Sequence, residues 1–417
     1  MCHGMSVRQI FVGLFCLLAP LFASSDGPSW DVNYKQGLAA FDAGRYSEAA
    51  QALTAAVDQA RVFSPVDTRL VKSTYTLALT YYVQGQPALA EPLYLEAKNA
   101  VEGMGESGRP MLGYVLEALG ELRMQQARWQ ESEQLLERAV AVCIETHGET
   151  HSCTLTAQRR LGELLSMQGR NSEAEGIFQK LIGTLRQAPS SPELLVGALT
   201  NLGGVYNAQG RFALAEPLLR ESLAVASQSA ITGPALADSL VDLGQLYRLE
   251  GDSARAEPLL QKALVIYEKV NDPHQAGALN ELGLMAMDEK KFAIARDYLS
   301  RSLSVYQKIV GSTHLFAARV KAGLAEAFLG ERDIQKARTL VAEALTTERQ
   351  ALGSQHCEYA RLLTLAGKVE EAGRQGKQAD KYYRQALDIY RQNFRDGHPE
   401  RSQAERNYAR FVKSLRN

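Results

Sequence analysis

A small residue recurs at a near-constant interval along this chain: Ala49, Ala90, Ser132, Ala174, Ala215, Ala256, Ala295, Ala337 and Ala379. The steps are 41, 42, 42, 41, 41, 39, 42 and 42 residues. A period of this length builds a stack of similar units in which each buries its apolar face on its neighbours. Such a stack works by offering a surface, so the search for function starts with binding and not with chemistry.

The fifth unit shows the plan. Leu202-Gly203-Gly204-Val205-Tyr206 is followed by Gln209-Gly210-Arg211-Phe212, then by Ala215-Glu216-Pro217-Leu218-Leu219 and Ser222-Leu223. Apolar residues fall at helical spacing on both sides of Gly210, which takes the positive φ that ends a helix. Each unit therefore reads as two antiparallel helices joined by a tight turn. Gly203, or Ala78 in the second unit, lets the helices approach. The recurring alanine faces that gap, and Tyr206 and Leu219 fill the space beside it. Pro92, Pro217 and Pro258 are expected in the first turn of the second helix, where a missing N–H costs nothing. The turn position holds Ala127 in the third unit and Lys290 in the seventh.

These residues resemble the tetratricopeptide repeat, whose small-Gly, Tyr, Ala, aromatic pattern they follow. A period near 42, the Ala-Glu-Pro-Leu runs at residues 90–93, 215–218 and 256–259, and the connectors Gly311-Ser312-Thr313-His314 and Asp396-Gly397-His398-Pro399 are similar to the kinesin light chain type. The resemblance implies an all-α, right-handed superhelical solenoid of about nine repeats over residues 34–398. A short lead-in (26–33) precedes it and a C-terminal capping helix (399–417) closes it. It also implies protein or peptide binding, without enzyme activity, cofactor or metal.

Charge and targeting narrow the class further. The chain has 46 basic and 47 acidic residues, which argues against a nucleic-acid-coating protein. Arg8, the apolar run Ile10–Ala23 and the small polar residues Ser24 and Ser25 form a signal-peptide pattern over residues 1–25. The expectation is export to a periplasm or the exterior, with no stable membrane insertion after cleavage. A tether through an uncleaved segment is the alternative, although the run is short for a bilayer span. Cys2 and Cys16 would leave with that segment. Cys143 and Cys153 flank a connector, where they either form a disulfide or pack as core thiols. Cys357 is the odd thiol, expected in the core. A monomer is favoured over a self-assembling solenoid.

Several motifs carry no chemistry in this context. Gly103-Met104-Gly105-Glu106-Ser107-Gly108 spells a dinucleotide-binding fingerprint but follows a helix, so it reads as a connector loop. His151, His314, His356 and His398 lie 19 residues after the small residue of their own repeats, and His274 is one residue off. Equivalent positions in different repeats do not converge on one ion, so these histidines read as connector residues that cap or pack on the next helix. His147 and His151, with Cys153, are the one local cluster, and Gly148 breaks the helix that would align them. The pair Glu370-Glu371 reads as a solvated helix face.

By the same resemblance, the first helix of each repeat lines a concave groove. Positions two before, one after and four after the packing Gly or Ala point into it. On this chain they include Tyr82, Glu121, Met124, Arg160, Glu163, Asn201, Asn207, Asp242, Gln245, Arg248, Glu281, Leu284 and Met287. Asn201 matches the family's groove asparagine, and Asn280 lies one position before the equivalent point. Mixed charge there points to an internal peptide or a folded partner surface. A ligand sensor or enzyme with its site in the solenoid cavity is the competing class, marked by buried titratable groups that converge.

Overall fold

The computed structural model describes residues 28–414, apart from 85, 127, 188–190, 271, 310 and 394–398. The signal-peptide segment, Ala127 and His398 lie outside the described residues. Among those described there are nineteen α-helices and no strand. They run as α1 (Pro28–Asp42), α2 (Tyr46–Arg61), α3 (Thr68–Val83), α4 (Pro87–Gly103), α5 (Arg109–Gln125) and α6 (Trp129–His147). Then come α7 (Ser152–Met167), α8 (Asn171–Gln187), α9 (Pro192–Ala208), α10 (Phe212–Gln228), α11 (Pro234–Leu249) and α12 (Ser253–Lys269). The last are α13 (Gln275–Asp288), α14 (Phe292–Ile309), α15 (Leu315–Gly330), α16 (Ile334–Leu352), α17 (Cys357–Ala372), α18 (Gly376–Asn393) and α19 (Pro399–Ser414). The order is that of a solenoid with nine helix pairs and one closing helix. The first helix starts at Pro28, so most of the expected lead-in is helical, and Trp30 stacks on Tyr34 with ring centroids 5.1 Å apart.

Two compact units divide the chain. One comprises residues up to Asp252 with Val265–His274; the other comprises Ser253–Leu264 and the chain from Gln275 onward.

The small-residue rhythm has the packing role its spacing implies. All nine recurring positions are 0% exposed. A Cβ added to Gly203 would lie 2.5 Å from a Leu219 methyl, and Gly162 and Gly367 meet Phe178 and Tyr383 in the same way. Between the helices of a pair, the turn residue is left-handed: Gly44, Gly169, Gly210 and Gly251 have φ of 73°, 78°, 70° and 82°. Lys290, Arg332 and Arg374 occupy the equivalent points at 60°, 65° and 59°, where a side chain is strained.

The histidines divide. His151, His314 and His356 are N-caps: each Nδ1 accepts the N–H two residues on, at 3.2, 3.2 and 3.1 Å. Asp67 does the same at α3. His274 does not cap; its own N–H donates to Asp272 at 2.9 Å. Gly105–Ser107 form a single 3-10 turn in the connector after α4, so the glycine-rich match is a loop.

The prolines require a correction. Pro92, Pro217 and Pro258 are each the sixth residue of their helices and not in the first turn. Helix formation resumes directly after the left-handed turn residue, earlier than the proline position suggested. Each ring removes a bond to the carbonyl four residues back, and that residue is Ala88, Ala213 or Ala254. All three prolines and all three alanines are exposed, so water receives the freed carbonyls. Prolines do open helices elsewhere, at Pro28, Pro87, Pro192, Pro234 and Pro399.

Glu370 is a second correction: it is buried and held by Arg338 through two contacts of 2.8 Å. Its neighbour Glu371 accepts from Tyr383 and Arg410. Cys357 is half-buried rather than in the core.

Candidate functional site

The expected groove residues sit on α3, α5, α7, α9, α11 and α13, and most of them are not open to solvent. Met124, Arg160, Asn201, Asn207, Asp242 and Glu281 are all buried. Tyr82, Arg248, Asn280 and Met287 are half-buried. The physical reason is convergence: in the first unit, successive first helices bring long polar side chains onto one another, and those chains consume each other's exposure.

Arg160 is the centre. It is 0% exposed, with Nε 3.2 Å from Glu117 Oε1, Nη2 2.6 Å from Glu121 Oε1 and Nη1 3.1 Å from Glu163 Oε2. Burial alone would lower its pKa, but Glu121, Glu163 and Glu117 raise it, so the guanidinium stays charged. Arg159 lies beside it, also buried, with Nη1 donating to Glu163 Oε1 at 2.7 Å. Its Nε and Nη2 reach no acceptor among the described residues, and burial lowers its pKa. Gly197 on α9 packs beside it, where a Cβ would lie 3.4 Å from Arg159 Cδ, an ordinary contact. Burial pushes the Glu117 carboxyl up to about 7 against the opposing pull of Arg160.

The asparagines are engaged. Asn201 Nδ2 donates to Glu163 Oε1 at 3.2 Å, and Asn207 Nδ2 donates to the Asp242 carbonyl at 3.2 Å. Tyr82 OH accepts from Gln125. A second focus lies nearby in the same unit. His274 Nδ1 is 2.8 Å from Asp272 Oδ1, and Tyr267 OH donates to Asp238 Oδ1 at 2.6 Å. Burial raises Asp238 to about 6, with His274 opposing. Burial would lower His274, but Asp272 and Asp238 carry it up to about 9.

The family model for the tetratricopeptide repeat matches residues 112–187, 194–269 and 274–350, and a second model of the same description matches 21–65 and 34–105. This chain is a tetratricopeptide repeat protein. No curated protein matches it significantly in sequence. Among solved structures, a Rap protein complexed with competence and sporulation factor has a TM-score of 0.63 at 12% identity, covering 87% of this chain and 98% of that one. The apo form of RapI has a TM-score of 0.50 at 13% identity, covering 87% and 97%. A tetratricopeptide repeat protein from Parabacteroides merdae has a TM-score of 0.48 at 16% identity, covering 72% and 100%. At these identities the likeness is one of fold.

Within this tetratricopeptide repeat protein, the groove rule found Arg160, Glu121, Glu163 and Asn201 but passed over Glu117 and Asp238. Glu117 and Arg159 each lie three residues before a packing glycine, Gly120 or Gly162. That register holds Tyr75, Thr200 and Val241 in other repeats, so charge at this point was the available signal. Cys143 and Cys153 are joined as a disulfide with Cα atoms 5.7 Å apart. No helix among the described residues is long and apolar enough to cross a membrane.

Proposed function

We propose that this protein is a non-enzymatic interaction scaffold that holds a peptide or protein segment along the inner face of its first unit, after export. The observation that carries this reading is the polar lining itself. Apolar side chains would pack there at lower cost than an array of buried ions. Here Glu117, Glu121, Arg159, Arg160 and Glu163 are kept instead, with guanidinium donors on Arg159 unmatched. The Rap protein's structure with competence and sporulation factor supports a peptide in a fold of this kind. Tyr82 and Arg248 are the half-buried contacts through which a partner enters. The signal-like N-terminus and a disulfide suited to an oxidising compartment support export.

Photo-crosslinking in intact cells tests the proposal. A photoreactive residue at Tyr82 or Arg248 is expected to capture a partner in the exported fraction. The same residue at the exposed Leu214 is not. Equal capture from both faces, or capture unchanged by Asn201→Ala with Arg248→Glu, removes the groove as the site. One observation favours a small-ligand sensor as the second reading: Glu117, Asp238 and His274, all with displaced pKa values, gather in one interior. A low-molecular-weight compound co-purifying with the chain, with no protein adduct, would select that reading.

A further inference from the structure

Three of the turns between paired helices carry a cation where the backbone asks for glycine. Lys290, Arg332 and Arg374 follow α13, α15 and α17, each 42 residues after the last. Their φ values of 60°, 65° and 59° are left-handed, and Gly44, Gly169, Gly210 and Gly251 hold the same point in earlier repeats. All three side chains are exposed. All three belong to the second compact unit. One register in three successive repeats makes one row of positive charge along one edge of that unit.

Folding alone does not account for the row. The carboxylates beside the turns are already engaged: Glu289 by Lys291 at 2.7 Å, Glu331 by Arg296 at 2.6 Å, Asp333 by Lys336 at 2.9 Å and Glu371 by Arg410 at 3.2 Å. Lys290, Arg332 and Arg374 form no ion pair among the described residues. Each does follow a helix C-terminus, where a cation is favoured. For an exposed side chain that gain is smaller than the cost of left-handed backbone in an L-residue. Strain kept at the same point of three repeats points to a use beyond folding. The surroundings add to the field. Lys377 and Lys381, in the first half of α18, are exposed too. Residues 253–417 hold 27 basic and 20 acidic residues, whereas residues 26–252 hold 18 and 27. The balanced total hides this division.

We propose that this edge of the second compact unit is a docking surface for an acidic protein segment in extended form, whose carboxylates meet Lys290, Arg332 and Arg374 in turn. The spacing chooses among anions. One surplus cation per repeat, with neutral pairs between, matches separate Asp and Glu side chains. Duplex DNA presents a charge for about every 1.7 Å of its axis and calls for denser cations. A bilayer is flat, whereas successive repeats of a solenoid rotate and carry such a row round a curve that a flexible chain can follow. The surface is separate from the inner face of the first unit, so it stands or falls by itself.

Fluorescence anisotropy of a labelled polyglutamate peptide with the full chain tests this. Binding is expected at low salt and weakens as salt rises. Lys290→Gly/Arg332→Gly/Arg374→Gly is expected to lose about tenfold or more in affinity, the scale of three exposed ion pairs. Its thermal midpoint is expected to hold or rise, because glycine fits the left-handed turn, which separates the loss from unfolding. Lys290→Asn/Arg332→Asn/Arg374→Asn, with a residue that also tolerates that turn, is expected to show the same loss. Lys269→Gln/Lys308→Gln/Arg349→Gln removes equal charge from the last turns of α12, α14 and α16 and is expected to bind as the wild type does. The proposal is overturned if the peptide does not bind, or if this last set loses as much affinity as the glycine set. Phosphatidylglycerol vesicles or a heparin fragment that bind more tightly than the peptide, with the same dependence on Lys290, Arg332 and Arg374, overturn it equally.

Discussion

At the residue scale, two constraints repeat through the chain and were readable in it. The first is volume at the helix crossing. Ala215 has no exposed surface and sits where Gly203 admits Leu219. Ala215→Leu is expected to overpack this contact and cost about 1–3 kcal/mol, seen as a lower urea midpoint at constant slope. The second is backbone handedness at the turn. Arg332 is exposed and holds φ at 65° where other repeats have glycine. Left-handed backbone costs an L-residue roughly 1–2 kcal/mol, and glycine returns part of that through unfolded-chain entropy. Arg332→Gly is expected to stabilise by about 1 kcal/mol, and a lower thermal midpoint would contradict this account. The periodic glycines made the turn legible. Arginine at 332 and 374 was not legible there, because a strained residue carries no sequence signature of its own.

At the element scale, the number of helices and their pairing followed from spacing, while their exact starts did not. The prolines illustrate the limit. A proline shortly after a glycine turn looks like a helix opener, yet α10 begins at Phe212 and encloses Pro217. The left-handed residue and its following cap complete the reversal in fewer residues than a typical connector, so the helix is already under way. Pro217→Ala restores a backbone bond to Ala213 and removes a ring clash. It is expected to raise stability by about 1–3 kcal/mol, less than the full helix-interior penalty because proline also restricts the unfolded chain. Calorimetry of the variant decides this. His151, His314 and His356 share one register and take the capping role, one of the two connector roles that register suggested. His274, one residue out of register, lost the cap and gained the half-buried Asp272 as a neighbour instead.

At the scale of the whole molecule, the buried ions of the first unit tie stability to pH. Glu117 titrates near about 7 when folded, against an ordinary value of 4.5. A carboxyl raised in this way contributes stability that is fully present below its unfolded pKa and lost as pH rises through the folded one. Glu117→Gln keeps the shape and removes that dependence, while Arg160 retains Glu121 and Glu163. The difference in unfolding free energy, variant minus wild type, is expected to be flat below about pH 4.5 and to grow up to about pH 7. Parallel pH profiles for the two proteins would show that Glu117 is not the group responsible.

The sequence by itself determined the repeat, the helix pairs, the small residues at their crossings and the connector placement of three histidines. Each of these depends on neighbours within one or two helical turns or on the next unit, so spacing encodes them. Only the tertiary structure decided that Arg160, Glu163 and Asn201 are closed in upon one another, that Glu117 and Asp238 join the same interior, and that the sulfurs of Cys143 and Cys153 rest on Gly113. Those outcomes depend on how several helices converge, and that convergence is the sum of small rotations between units. No local pattern records that sum.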